Sequence, residues 1–284
     1  MKPGEVLTAG SAPPSRAACE AMPPVVQVEA VEKVFPNGTH ALAPIDLQVH
    51  EGELVTLLGP SGCGKSTLLN LIAGLSVPSA GQLRLWGSAP GAKPQAAAAD
   101  RRLAFVFQDA TLMPWARVNA NVRLPLDLEG MNRLAAGERV RQALLLVGLA
   151  HAGALYPRQL SGGMKMRASI ARALATGPNL LLMDEPFGAL DEITRNRLDA
   201  DLLELWWNKA LTIVFVTHSI YEAVFLSTRV VVMAARPGRV IGEVAIGEPH
   251  PRSESFRVSV DFAAHCRRLA GLLAEASAGG EPGG

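Results

Sequence analysis

The sharpest chemistry in the sequence is carried by Gly59-Pro60-Ser61-Gly62-Cys63-Gly64-Lys65-Ser66, followed by Thr67. The pattern G-x-x-x-x-G-K-[ST] is one that cradles phosphate. Glycines let the backbone curl so that successive N–H groups point inward, and the following helix N-terminus adds unpaired donors and partial positive charge. Lys65 is expected to reach the β- and γ-phosphates of a nucleotide, with the Ser66 hydroxyl on Mg²⁺. A glycine-rich turn with no ligand is the competing reading. Context weighs against it, because the apolar run Leu54 to Leu58 precedes the loop and the helical stretch Thr67 to Ile72 follows it.

A second segment, Leu180-Leu181-Leu182-Met183-Asp184-Glu185-Pro186, is an apolar strand ending in two carboxylates. Adjacent residues of an extended chain point to opposite sides, so the two can do different jobs. Asp184 is expected to hold Mg²⁺, mostly through its water shell, and Glu185 to polarise the water that attacks the γ-phosphate. A carboxylate acting as general base contributes about 10²–10⁴-fold in rate. Asp-Glu after a strand is also a common way to begin a helix, and the upstream phosphate loop tips the reading toward chemistry. A third segment, Leu160-Ser161-Gly162-Gly163-Met164, opens a helix running from Lys165 to Ala175. A hydroxyl and two glycines at a helix start make an anion site of backbone donors, and equally an ordinary cap. One nucleotide does not need two such sites. Ser161, Gly162 and Gly163 are therefore expected to bind the γ-phosphate of a nucleotide held by a second copy of the chain.

These groups need a scaffold. Val26, Val28 and Ala30 alternate with polar residues, as do Ala43, Ile45, Leu47 and Val49, with Pro36-Asn37-Gly38 between them. That pattern predicts an antiparallel hairpin. Thereafter nearly continuous apolar runs at 54–58, 103–107, 180–183, 211–217 and 230–234 alternate with helical stretches, as in a mostly parallel α/β sheet buried on both faces. Pro237-Gly238 turns the chain back toward Val240-Ile241. Val140, Leu144 and Val147 share one helical face inside a largely helical block at about 109–165, and Phe262, Cys266, Leu269 and Leu273 give a stripe to a C-terminal helix. The expected organisation is a disordered leader over 1–24, a module over 25–245 containing the helical insert, and a helical tail over 246–284 with a Gly-rich end.

The chain has 284 residues, long enough for one extended domain or a core with an insertion. At 49% hydrophobic and 19% charged it is no disordered chain, and Lys plus Arg of 27 against Asp plus Glu of 26 leaves no electrostatic footprint for nucleic acid. The longest uncharged stretch, Ser66 to Leu83, contains Asn70, Pro78, Gly81 and Gln82 and does not read as a membrane span. Cys19, Cys63 and Cys266 lack metal spacing and read as free thiols of a reducing compartment.

Taken together, the phosphate loop, Leu160-Ser161-Gly162-Gly163 ahead of Asp184, and Thr217-His218 after the next strand resemble the nucleotide-binding subunits of ABC transporters. The resemblance covers about residues 25–245. It implies an α/β fold with a RecA-like P-loop NTPase core, an N-terminal antiparallel β subdomain and an inserted α-helical subdomain. It implies ATP and Mg²⁺ as ligands and ATP hydrolysis as the reaction. Under it Gln108 senses Mg²⁺ and the attacking water, Asp191 crosses a dimer interface, and His218 contacts the γ-phosphate. Phe35 lies where the family puts an aromatic against adenine; a hairpin core residue is its other reading. Met164, Lys165-Met166-Arg167 and Ser219 depart from the commonest family residues, but none removes a group assigned to the chemical step. Cys63, inside the loop, is expected to block nucleotide binding when alkylated.

Asp109-Ala110-Thr111-Leu112-Met113-Pro114-Trp115 and Pro186 to Arg195 resemble the nitrate/sulfonate/taurine importer group, whose wider relatives import thiamine-precursor pyrimidines and riboflavin. Leu112, Met113 and Trp115 either form an exposed apolar patch for a permease helix or pack within the helical insert. The implied partners are a second copy in an ATP-sandwich dimer, transmembrane permease subunits and, indirectly, an extracytoplasmic solute-binding protein. The implied location is peripheral, on the cytoplasmic face of the membrane. A non-transport ABC-type ATPase acting on a cytoplasmic macromolecule is the alternative, though such proteins usually carry paired domains, a coiled coil or a basic surface.

Overall fold

Nine strands fall into two sheets in the computed structural model, which describes residues 24–90, 101–250 and 252–278. The expected leader, Cys19 and the Gly-rich end lie outside the described residues, save for Pro24 at the leader's edge. The smaller sheet is antiparallel in the order β2-β1-β4, with β1 Val26–Val34, β2 His40–Val49 and β4 Ala80–Leu85. The turn joining β1 to β2 closes through Phe35 N–H to Thr39 O (2.9 Å), with Gly38 at φ 82°.

Register in β1 departs from simple alternation. Val26 and Val28 point inward, but Ala30 is exposed at φ 46°, its N–H donated to Asp46 Oδ1 (2.8 Å), and Val31 takes the next inward place. This is a bulge, and it re-aims the rest of the strand.

The larger sheet has the order β5-β6-β7-β3-β8-β9. Its strands are β3 Leu54–Leu58, β5 Leu103–Val106, β6 Leu180–Asp184, β7 Thr212–Thr217, β8 Arg229–Ala234 and β9 Arg239–Ala245. All neighbours are parallel except β8 and β9. Among the described residues seven α-helices accompany the sheets: α1 Lys65–Ile72, α2 Val118–Leu128, α3 Arg133–Leu146, α4 Gly162–Ala175, α5 Glu192–Lys209, α6 Ile220–Leu226 and α7 Val260–Ala278.

Strand pleat divides the core. Val55, Leu57, Leu180, Leu182, Val214 and Val216 pack with α1 and the small sheet, whereas Leu54, Leu58, Leu181, Met183, Ile213 and Phe215 pack with the helices of the opposite face. That two-sided burial is why these strands read as continuous apolar runs. Truncating one such side chain, as in Leu182→Ala, costs about 2–5 kcal/mol. Helix α4 packs against α2, α3 and β5, joining the helical layer to the sheet. On α7, Phe262 and Leu269 are buried and Cys266 and Leu273 lie against the same core.

Candidate active site

The phosphate loop leaves β3 at Leu58 and enters α1 through Gly64 at φ 89°, a left-handed conformation that glycine adopts without penalty. A side chain there would also collide with Leu42 of β2. The first intrahelical bond is Leu68 N–H to Gly64 O (2.8 Å), leaving the N–H groups of Lys65, Ser66 and Thr67 at the helix end for a ligand. Lys65 is almost fully buried, and its Nζ donates to Gly59 O (2.8 Å) and Pro60 O (3.0 Å), bracing the loop. Glu185 Oε1 lies 3.8 Å from the same ammonium.

Gly238, in the β8–β9 turn, does more than close that turn. It exchanges hydrogen bonds with β2, Gly238 N–H to Ala41 O (3.0 Å) and Ala43 N–H to Gly238 O (2.8 Å), and a Cβ on it would strike the Cys63 carbonyl. The glycine thus lets the small sheet, the β8–β9 turn and the phosphate loop meet backbone to backbone.

The Cys63 side chain corrects an expectation. Its thiol is fully buried, 3.8 Å from Lys65 Nζ and inside the apolar core, and burial pushes its pKa up. It cannot meet an alkylating reagent without opening of the loop; Cys63 offers a ligand its backbone alone.

Strand β6 ends at Asp184, but the two carboxylates do not diverge to opposite sides as pleat alternation predicts: both face the phosphate loop, Asp184 at Ser66 and Glu185 toward Lys65. Asp184 pairs with Val216 of β7, whereas Glu185 turns into the left-handed region at φ 42°. Such a backbone in a non-glycine residue costs about 1–3 kcal/mol. It is held by Glu185 N–H to Val216 O (3.0 Å) and by Gly188 N–H to Glu185 O (3.1 Å). Asp184 Oδ1 accepts from Ser66 Oγ (2.9 Å). Burial and the adjacent Glu185 charge raise the Asp184 pKa, while the Ser66 bond and Lys65 oppose the rise. Glu185 Oε2 lies 3.0 Å from Nδ1 of His218, which follows β7. One chain thus gathers Lys65, Ser66, Asp184, Glu185 and His218 at the C-terminal edge of adjacent parallel strands. Gln108 lies at the same edge, exposed, two residues past Val106 of β5, which pairs with Met183. Phe35 is partly exposed in the β1–β2 turn, with Lys33 Nζ 5.4 Å from its ring centroid.

Ser161, Gly162 and Gly163 form a separate group. Ser161 caps α4, its Oγ accepting from Met164 N–H (3.3 Å), and both it and Gly162 are exposed. The start of α4 packs on Leu190 and Thr194, next to Asp191, which caps α5 by accepting from Thr194 N–H (3.0 Å). That bond holds the Asp191 carboxyl below its usual range. Among the described residues, no hydrogen bond or ion pair joins Ser161, Gly162 or Gly163 to the phosphate loop.

A family model described as ABC transporter matches residues 42–188, from β2 through the turn that carries Glu185. The chain belongs to the ABC transporter family. It is an ATP-binding subunit of that family and an ATPase that drives transport. This ABC transporter subunit is 47% identical over 242 residues to the bicarbonate transport ATP-binding protein CmpC of Synechococcus elongatus, covering 81% of this chain and 35% of the relative. It is 41% identical over 238 residues to the aliphatic sulfonates import ATP-binding protein SsuB of Bacillus cereus, covering 82% and 91%. Among solved structures it resembles the dimeric post-hydrolysis state of the ATP-binding cassette MJ0796 bound to ADP and Pi, at TM-score 0.68 and 32% identity over 78% of this chain and 98% of that one. It also resembles CbiO1 of Clostridium perfringens, part of the ABC transporter complex CbiONQ, at TM-score 0.72 and 27% identity over 86% and 99%.

One further residue of this ABC subunit, Glu222, escapes motif reading. Glu222 on α6 is buried, accepts from Thr217 Oγ1 and lies 3.7 Å from Arg195 Nε of α5. The spacing Ser219-x-x-Glu222, a capping pattern, is the signal that marks it; Glu222 N–H donates to Ser219 Oγ (3.3 Å).

Proposed function

We propose that two copies of this chain, each using residues 25–245 as its nucleotide-binding module, close around two ATP molecules beneath a permease for a small solute of the nitrate, sulfonate and taurine class. The pyrimidine-precursor importers are the neighbouring possibility. The observation that carries this reading is the division of the site. Lys65, Ser66, Asp184, Glu185 and His218 converge in one chain, while the Ser161 cap stands apart from them, exposed beside Asp191. A γ-phosphate bridging one copy's loop to the other's Ser161-Gly162-Gly163 completes the site only in the closed pair. ATP then shifts the equilibrium because it meets both copies only when closed.

Within that pair, Lys65 and the N–H groups at the start of α1 bind and orient the phosphates. Glu185 holds the attacking water and accepts its proton, with the His218 ring 3.0 Å from its other oxygen. Gln108 stands at the edge where the water enters, Phe35 is available to adenine, and Asp191 faces the second copy. The donor set of Ser66 Oγ and Asp184 Oδ1, two hard oxygens 2.9 Å apart, suits Mg²⁺. When bound, that ion neutralises phosphate charge and orients the γ-phosphate for in-line attack.

Trp115 supports a membrane partner. It is 77% exposed, while Leu112 packs on the core, so the two readings of this segment divide between neighbouring residues. Asn121, fully buried, accepts from Met113 N–H (2.6 Å) and donates to Met113, Ala116 and Arg117 carbonyls, fixing the segment that presents the indole. No helix among the described residues is long and apolar enough to cross a membrane. Attachment would run through a groove that takes a permease helix, placing the chain on the cytoplasmic face. Co-purification from detergent-solubilised membranes tests this: a polytopic membrane subunit supports it, and ribosomes or DNA in its place would contradict it. Thermal shift of the associated solute-binding protein against sulfonates, nitrate, pyrimidines and flavins then identifies the cargo.

A further inference from the structure

We propose that Arg195 and Glu222 are positioning residues that hold the Glu185 carboxylate against the His218 ring. The inference rests on the reading of Glu185 and His218 given above and concerns what keeps them in place. His218 is 52% exposed on its side chain, and Glu185 is its hydrogen-bond partner. Its ring is not clamped by packing, so its placement is set by the backbone on either side. Both flanking residues lead to one carboxylate. Thr217 Oγ1 donates to Glu222 Oε2 and accepts from Ser219 N–H (3.0 Å), while Ser219 Oγ accepts from Glu222 N–H (3.3 Å).

The other oxygen of Glu222 faces Arg195. Among the described residues Glu222 Oε1 makes no hydrogen bond, and it lies 3.7 Å from Arg195 Nε. The same guanidinium collects the carbonyls that follow Glu185: Nε donates to Phe187 O (3.3 Å), and Nη2 to Leu190 O (2.8 Å) and Gly188 O (3.5 Å). One arginine therefore grips the segment that begins at Glu185, whose φ of 42° needs support from its surroundings, and reaches the carboxylate that anchors the His218 turn. Four residues on, Asp199 Oδ2 pairs with Arg257 Nη2 (3.0 Å), and the Arg257 guanidinium lies 3.6 Å from the Phe225 ring centroid, stapling α5 to α6 behind the pair. Burial pushes the Glu222 pKa up, with Thr217 and Arg195 pulling it down, so Arg195 favours its ionised form. A planar fork serves three carbonyls and a carboxylate at once; a lysine point charge does not.

The test uses the full chain. Arg195→Lys keeps the buried charge paired, and Glu222→Gln keeps an acceptor for Thr217, so both retain a folded site, checked by one-to-one binding of a fluorescent ATP analogue. Each is expected to lower kcat about 10- to 100-fold, the effect of a misplaced catalytic group, with KM for ATP within about twofold. The double variant is expected to be no worse than the poorer single, because the two act as one unit. Parental kcat in either single variant, a KM increase at unchanged kcat, or losses that multiply would overturn the proposal. Glu185→Gln separates the levels. If it keeps parental turnover, the underlying assignment fails; if it is inactive while Arg195→Lys is fully active, only the positioning role fails.

Discussion

Glu185 Oε2 and His218 Nδ1 stand 3.0 Å apart, joining the turns that leave two neighbouring parallel strands. The contact depends on Glu185 leaving the extended conformation, since a pleated continuation would have aimed its carboxylate away from Asp184. The left-handed turn instead puts both acids on the phosphate-loop side, Asp184 at Ser66 and Glu185 at Lys65. A local backbone cost is accepted where it assembles the reacting groups.

Lys65→Ala removes the ammonium that braces Gly59 and Pro60 and would meet the phosphates. Hydrogen bonds to charged groups are worth about 1.5–3 kcal/mol each, so nucleotide affinity falls by about 100-fold or more. Titration with a fluorescent ATP analogue reads this directly; unchanged affinity would discredit the loop's assignment.

Cys63 is expected to resist maleimide under native conditions at neutral pH, because its thiol is buried and burial raises its pKa. Peptide mapping after a short exposure should find Cys266, partly exposed, labelled ahead of Cys63. Labelling of Cys63 as fast as in urea would contradict the placement.

Stability should fall in mild acid through His250. Both its ring nitrogens are buried without a hydrogen-bond partner among the described residues, against the Trp206 and Trp207 rings, and burial followed by the Arg252 charge lowers its pKa to about 3. The fold prefers the neutral ring, so this contribution is intact above the usual histidine pKa and is lost as pH falls from about 6.5 toward 3, at about 1.4 kcal/mol per unit. Asp199, pushed up to about 7 by burial and the Glu222 charge, gives the opposite slope, lost as pH rises from its usual value. It cancels when His250→Phe is compared with the parent. Urea midpoints should converge between parent and variant near neutrality relative to about pH 5, where the parent falls behind by about 2 kcal/mol more; an equal pH response in both would refute the assignment.

Trp115→Ala should leave ATPase activity of the isolated subunit near the parental level, because the indole is exposed and, among the described residues, makes no hydrogen bond or ring contact with the reacting groups. Surface changes of this kind usually move stability by less than about 0.5 kcal/mol. Retention of the membrane partner during purification should drop. Full retention would remove Trp115 from the docking surface.

Much of this was legible from pattern. The phosphate loop is local, and β3, β6 and β7 are buried on both faces, so their apolar runs stand out. Less visible was β4, which has Leu83 and Leu85 after a Ser-Val-Pro-Ser stretch and owes its strand to pairing with β1. The Ala30 bulge followed from Asp46 across the sheet, and Glu185 φ from its bond to Val216, neither of which spacing encodes. Spacing does not pair Arg195 with Glu222; tertiary packing, which buries Glu222 3.7 Å from the Arg195 guanidinium, does.

The proposed site needs both the Glu185 carboxylate and a second copy of the chain. Steady-state Mg²⁺-ATPase activity and ATP-dependent dimerisation, measured together on Glu185→Gln, test it most directly. A stable ATP-bound dimer is expected, with turnover lower by about 10²–10⁴-fold. Parental turnover in that variant, or a monomer at saturating ATP, would contradict it.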